Sequence, residues 1–194
     1  MEWMVRLARE DDIPVLEKLI PLSVLGLRGD YYSKAQVDAA LGTVFGVDRQ
    51  LILDGTYFIV EIGGASLREP GADRRRGAPP CIIGCGGWSK RKTLFGSDHQ
   101  TNRDDAELNP ASDSARIRAF FIHPAWARRG IGRAMLDECE KLIRAAKFKS
   151  IEVVATLPGV PFYAALGYVL GERSEVPLPN DLSLPIVRMR KNLS

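Results

Sequence analysis

The run Phe120-Phe-Ile-His-Pro-Ala-Trp-Ala-Arg-Arg-Gly-Ile-Gly-Arg-Ala-Met-Leu136 constrains the fold more than any other part of the chain. An apolar stretch over 116–122 reads as a strand and stops at His123-Pro124, and glycines follow at 130 and 132. From there Ile131, Met135, Cys139, Leu142 and Ala146 keep helical spacing over 130–146, with Asp137/Lys141 and Glu140/Arg144 as i,i+4 pairs on the outer face. A strand joined to a long helix through a glycine turn commits the chain to an α/β class. It also points the unpaired N–H groups and positive dipole end of the helix at one place, where Arg128, Arg129 and Arg133 add charge. The physical expectation is a cradle for a bulky anion such as a pyrophosphate.

Two familiar phosphate motifs fail here. The dinucleotide fingerprint needs a third Gly or Ala where Met135 stands, with Glu152 the one feature in its favour, and the P-loop pattern is absent. A purely conformational role for Gly130 and Gly132 would leave the three arginines unexplained.

The rest of the chain alternates strands and helices. Met4 to Leu7 reads as a short strand; Asp11, Asp12 and Pro14 open a helix whose apolar positions Ile13, Leu16, Leu19 and Ile20 run to Pro21. Leu25 to Tyr32 reads as a connection, and Ser33 with Gln36 forms a capping box ahead of Val37, Ala40, Leu41 and Val44. Strands are expected at Tyr57 to Ile62 and at Cys81 to Trp88, antiparallel neighbours, then at Ile151 to Ala155, Tyr168 to Leu170 and Ile186 to Met189. A short helix over Pro161 to Leu166 stops at Gly167. Two polar stretches, 65–80 and 89–114, read as loop insertions in a single domain spanning 1–194, since 194 residues suit one domain of ~150 residues better than two.

Composition narrows the functional classes. Apolar residues at 45% and charged residues at 26% describe an ordinary globular protein, and a net charge of +3 demands no nucleic acid. The basic clusters Arg74–Arg76 and Lys90–Lys92 lack stacking aromatics and are offset by Asp98, Asp104, Asp105 and Glu107. Cys81 and Cys85, read as one face of a strand, would stand ~13 Å apart, beyond disulfide reach, which suits a reducing compartment. With two histidines and no zinc-type spacing, no metal is expected. Charges at Glu2, Arg6, Arg9 and Glu10 break any signal-peptide core, and no apolar run reaches ~18 residues, so a cytoplasmic protein that does not enter membranes is expected.

The segment around the glycines resembles the GNAT acetyltransferase superfamily, whose pattern Arg/Gln-x-x-Gly-x-Gly/Ala reads here Ala127-Arg128-Arg129-Gly130-Ile131-Gly132, with Ala127 in place of the first Arg or Gln. Downstream, Val160-Pro-Phe-Tyr-Ala-Ala-Leu-Gly-Tyr168 is similar to the family's Phe-Tyr-x-x-x-Gly-Phe/Tyr block. The resemblance implies a mixed, mostly antiparallel central sheet with splayed fourth and fifth strands, flanked by helices. It implies acetyl-CoA as co-substrate, bound by Arg128, Arg129, Gly130, Ile131, Gly132, Arg133 and Ala134 at the pyrophosphate and by the main chain of Phe121 and Ile122 at the pantetheine arm. Tyr163 would then protonate the departing thiolate, after direct attack of a small amine acceptor on the thioester.

A general base is not evident, because 115–122 carries Arg116 and Arg118 and no carboxylate. Asp30, Glu61 and His99 are candidates of no special standing; the two arginines are read as an ion-paired face or as contacts to an acidic substrate. Tyr31, Tyr32 and Trp88 are candidate acceptor-binding residues. The missing carboxylate keeps a second reading alive, a domain that binds acyl-CoA without turnover. A homodimer is compatible with either.

Overall fold

The structure, a computed structural model, describes residues 3–63, 81–101 and 103–193. The expected insertion at 65–80, with Arg74–Arg76, lies outside the described residues. Seven strands form one sheet in the order β1-β2-β3-β4-β5-β7-β6. They are β1 (Trp3–Leu7), β2 (Tyr57–Ile62), β3 (Cys81–Ser89), β4 (Ala115–Ile122), β5 (Ser150–Thr156), β6 (Val169–Pro177) and β7 (Ser183–Asn192). All neighbours are antiparallel except β4 and β5. That parallel step follows from the chain between them, since a strand returning in the same direction needs a long crossover connection, here a helix. The helix is α4 (Ile131–Ala145), and the mixed, mostly antiparallel sheet that results is the expected class.

Helices cover both faces. On one lie α1 (Ile13–Leu27), α2 (Lys34–Ala40) and α3 (Arg49–Leu53), packed through Leu16, Ile20, Val37 and Leu51 against Tyr57 and Ile59. On the other lie α4 and α5 (Val160–Ala165), packed through Leu136, Cys139 and Ile143 against Ile117, Ile151 and Val153. The buried stripe of α4 is Ile131, Met135, Leu136, Cys139 and Ile143; Leu142 and Ala146 are only partly covered. At 3.6 residues per turn a strict heptad stripe drifts around the helix, and Leu136 and Ile143 take the inward positions. The outer pairs shift as well: Asp137 faces Arg133 at 3.8 Å, Lys141 faces Glu138 at 3.7 Å, and Glu140 keeps Arg144 at 3.9 Å.

Several boundaries move for identifiable reasons. α1 passes through Pro21 to Leu27, so Leu25 to Leu27 are helical; burial of Leu16, Leu19, Ile20 and Ser23 offsets the missing proline N–H, a defect of about 3 kcal/mol. The capping box holds, with Ser33 Oγ accepting from the Gln36 amide at 3.1 Å and Gln36 Oε1 accepting from the Ser33 amide at 2.9 Å. α2 nevertheless ends at Ala40, because Leu41 is extended and Gly42 turns the chain at φ +87°. α3 has a sequence signal that is easily passed over, the N-cap Asp48, whose Oδ1 accepts from the Gln50 amide at 3.2 Å.

Cys81 and Cys85 do not share a face. Register slips at Val60/Glu61, placing an extra residue in β3, so Cys81 packs with Ile83 and Met135 while Cys85 packs with Tyr57 and Ile59. The described part of 89–114 folds back on the body. Arg91 grips both oxygens of Asp54 at 2.7 Å, and Lys90 meets Glu107 at 2.7 Å.

Candidate functional site

Strands β4 and β5 pair only from Ala115/Ile151 to Ile117/Val153 and then part. The cause lies in β4, where register with β3 slips and Ala119-Phe120 bulge opposite Gly86. Ala119 sits at φ +56°, a conformation disfavoured for a residue with a Cβ, and the Tyr57 hydroxyl donates to its carbonyl at 3.1 Å. A Cβ at position 86 would come within 2.6 Å of the Phe120 ring, so the bulge needs glycine there. Where the strands part, a cavity of about 820 Å³ runs between them, from the start of α4 past Tyr163 to the end of α1.

At one end of the cavity the chain leaves β4 through a single 3-10 turn, Pro124–Trp126, capped by His123 Nδ1 accepting from the Ala125 amide at 3.2 Å. Burial lowers the pKa of His123 and favours the neutral ring that this acceptor role requires. Arg128 at φ +62° and Gly130 at φ +81° then swing the chain into α4. A Cβ at 130 would meet nothing, so backbone conformation accounts for that glycine; a Cβ at 132 would lie 3.3 Å from the Phe162 ring, which also lines the cavity. The Ala134 amide already donates to the Gly130 carbonyl at 3.0 Å and is not available to a ligand, which leaves the amides of 131–133 ahead of the first helical bond. Arg128 and Arg133 line the cavity, whereas Arg129 stacks over Trp126, 4.8 Å from the ring centre.

Tyr163 lines the middle of the cavity, wedged edge-on among Phe120, Phe162 and Tyr168 with ring centres 5.0 to 6.5 Å apart. Burial pushes its phenol well above the ordinary value, so at neutral pH it holds its proton. Phe121 crosses Phe45 edge-on at 6.4 Å, and both line the cavity. The Ile122 amide, part of the main chain expected to meet a pantetheine arm, donates to Ser23 Oγ at 2.9 Å.

At the far end the expected acceptor residues separate. Tyr31 stands on the rim, 54% exposed. Tyr32 is buried: its hydroxyl donates to the Pro185 carbonyl at 2.6 Å and accepts from the Leu157 amide at 2.8 Å, and burial pushes its pKa up to about 12. It is a strut between α2 and the sheet whose ring borders the cavity. Trp88 is not brought there at all; it packs in the α4 core, edge-on to Phe148 at 6.3 Å. Of the candidate bases, Glu61 pairs with Arg6 at 3.0 Å, and neither Asp30 nor His99 lines this cavity. Arg116 is bound to Glu152, which also holds Arg188 at 3.0 Å. Arg118, one of the two arginines read as an ion-paired face or as contacts to an acidic substrate, lines the site, as does Arg28; Phe45 and Phe95 line it without having been singled out. The partners of Arg118, Asp48 and the Gly96 carbonyl, come from distant segments and leave no local pattern.

Among the described residues no group of His, Cys, Asp and Glu could hold a metal ion, and no helix is long and apolar enough to cross a membrane.

Residues 107–193 match the family of acetyltransferase (GNAT) domains. No curated protein sequence matches the chain. Among solved structures, a GCN5-related N-acetyltransferase from Rhodopseudomonas palustris is 22% identical with a TM-score of 0.66, covering 98% of this chain and 95% of that one. The PaiA N-acetyltransferase from Thermoplasma acidophilum, solved with coenzyme A, is 13% identical with a TM-score of 0.61, covering 99% of both chains. A chain of the NatC complex, bound to Gag peptide and CoA, is 13% identical with a TM-score of 0.59 over the full length of both. The GNAT acetyltransferase match thus covers residues 107–193, and the splayed β4–β5 sheet shares its fold with these solved structures along the whole chain.

Proposed function

We propose that the chain, acting as one domain over 1–194, transfers an acetyl group from acetyl-CoA to a small amine. The observation that carries this reading is the cavity between the parted strands, open at once to the first amides of α4, to Tyr163 and to the end of α1. The pyrophosphate would sit on the amides of residues 131–133, where helix dipole, Arg128 and Arg133 all favour negative charge. The pantetheine arm would lie along Phe121 and Ile122, with the Ile122 amide already engaged by Ser23 and the thioester near the Ala119-Phe120 bulge.

The acceptor's neutral amine attacks the thioester carbonyl carbon; a C–N bond forms, the C–S bond breaks, the thiolate takes a proton from the Tyr163 hydroxyl, and the nitrogen gives up its extra proton to water, from which the Tyr163 phenol is reprotonated. Tyr163 suits a donor role because burial keeps it protonated. The PaiA and NatC structures, which hold coenzyme A or CoA in the same fold, support the cofactor assignment.

The test is thiol release from acetyl-CoA with a panel of amines, amino acids and peptides. Acceptor-dependent release is the expected result; calorimetric binding of acetyl-CoA with no turnover of any acceptor would favour the non-catalytic acyl-CoA-binding module instead.

A further inference from the structure

Arg118 is a buried cation that acetyl transfer as outlined does not use. Its side chain is 2% exposed yet borders the cavity, one residue before the β4 bulge. One Nη donates to the Gly96 carbonyl at 2.6 Å and stands 2.8 Å from Asp48 Oδ2, while Nε finds no hydrogen-bond partner. Asp48 is fully buried and shared, since Arg103 approaches its other oxygen at 3.1 Å. The second carboxylate of the cluster, Asp105, pairs with Arg103 at 3.3 Å, accepts from the Thr93 hydroxyl at 3.3 Å, and is 43% exposed to screening solvent. Two guanidiniums thus divide one buried carboxylate, and the Nε–H of Arg118, a residue that lines the cavity, is left unpaired. Burial depresses the pKa of Arg118, an effect Asp48 opposes and Arg103 reinforces.

The surrounding wall has matching chemistry. Four arginines and, among the described residues, no carboxylate line the cavity. Two of them, Arg128 and Arg133, belong to the α4 end; Arg28 and Arg118 belong to the acceptor end, beside Tyr31, Phe45 and Phe95. Arg28 spends one Nη on the Tyr32 carbonyl at 2.6 Å.

The geometry points to an acceptor that is itself an anion, an α-amino acid with an apolar or aromatic side chain, its carboxylate held by Arg118 and Arg28 and its side chain laid against Phe45 and Phe95. This assignment rests on the acetyl-transfer reading above and narrows it. The carboxylate takes no part in bond changes: the amine nitrogen gains the acetyl group, CoA leaves as the thiol, and an N-acetyl amino acid is the product. A like-charged acceptor such as a polyamine would instead meet uncompensated positive charge.

The experiment compares L-phenylalanine, phenylalaninamide, phenethylamine and the dipeptide Phe-Gly as acceptors with saturating acetyl-CoA. Phenylalanine is expected to exceed phenethylamine and phenylalaninamide in kcat/KM by at least about 100-fold, as for a site built to bond a group the analogue lacks. Phe-Gly, whose carboxylate is displaced, should fall with the neutral acceptors; Phe-Gly equal to phenylalanine would overturn the free amino acid as acceptor. Removing both buried charges in the Arg118→Gln/Asp48→Asn pair should shrink the preference to within about threefold, chiefly through acceptor KM, with acetyl-CoA affinity retained. Equal use of phenylalanine and phenethylamine by the parent protein overturns the proposal without recourse to any variant. So does a preference that survives in the double variant, or turnover confined to polyamines. Acetyl-CoA binding without turnover of any of the four also overturns it and leaves the cofactor reading intact, whereas absence of acetyl-CoA binding would remove both.

Discussion

Tyr163 stands at the point where sequence pattern and chemistry meet. Its spacing from Gly167 is readable in the chain, and the structure adds what spacing could not, the burial that keeps the phenol protonated. Tyr163→Phe keeps the ring and its contacts with Phe120, Phe162 and Tyr168 but removes the donor. Turnover should fall by about 10²-fold with acetyl-CoA affinity unchanged, a loss of general-acid assistance read by single-turnover kinetics and calorimetry. Unchanged chemistry would assign Tyr163 to packing. Gly130 and Gly132 were legible for the same local reason, although the structure separates their roles: one supplies a positive φ, the other space beside Phe162. Arg118 and Trp88 were picked out as candidates, but the partners that fix them were not legible, because each lies far away in sequence. Arg118 is fixed by Asp48 and Gly96, and Trp88 is drawn into the α4 core by Phe148.

Elements with their own local signals appear close to their sequence expectations. β2 and the α2 capping box depend on alternation and on a cap that the chain carries within a few residues. The path of 89–114 depends instead on long-range ion pairs, chief among them Arg91 with Asp54. The Arg91 guanidinium holds the Asp54 carboxyl below the usual carboxylate range. A carboxylate whose folded pKa is depressed contributes stability that is present above its unfolded pKa of about 3.9 and is lost as pH falls through the folded value. Asp54→Asn should therefore cost about 1–2 kcal/mol at pH 7, and the gap between parent and variant in urea midpoints should close as both are titrated below about pH 4. A gap that persists undiminished at pH 2 would show that Asp54 acts through packing alone.

The whole molecule is a sheet opened on purpose-built terms: a bulge at Ala119-Phe120 ends the β4–β5 ladder, and α4 begins at the mouth of the gap. The parting of these two strands was implied by the resemblance over roughly the second half of the chain, while most of the order of the elements came from local caps and patterns along its whole length. The shape of the acceptor end does not, since α1 passing through Pro21, the short α3 and the returning 89–114 segment are decided by tertiary contacts. The central claim, that acetyl-CoA sits in this gap with its pyrophosphate on the start of α4, is tested most directly by calorimetric titration of acetyl-CoA into the parent protein and into Gly132→Val. A valine there crowds both Phe162 and the close approach of an anion to the helix amides. The parent should bind one equivalent and the variant at least about tenfold more weakly, while its unfolding free energy stays within about 1–2 kcal/mol of the parent's. Equal affinities in the two proteins would contradict the account.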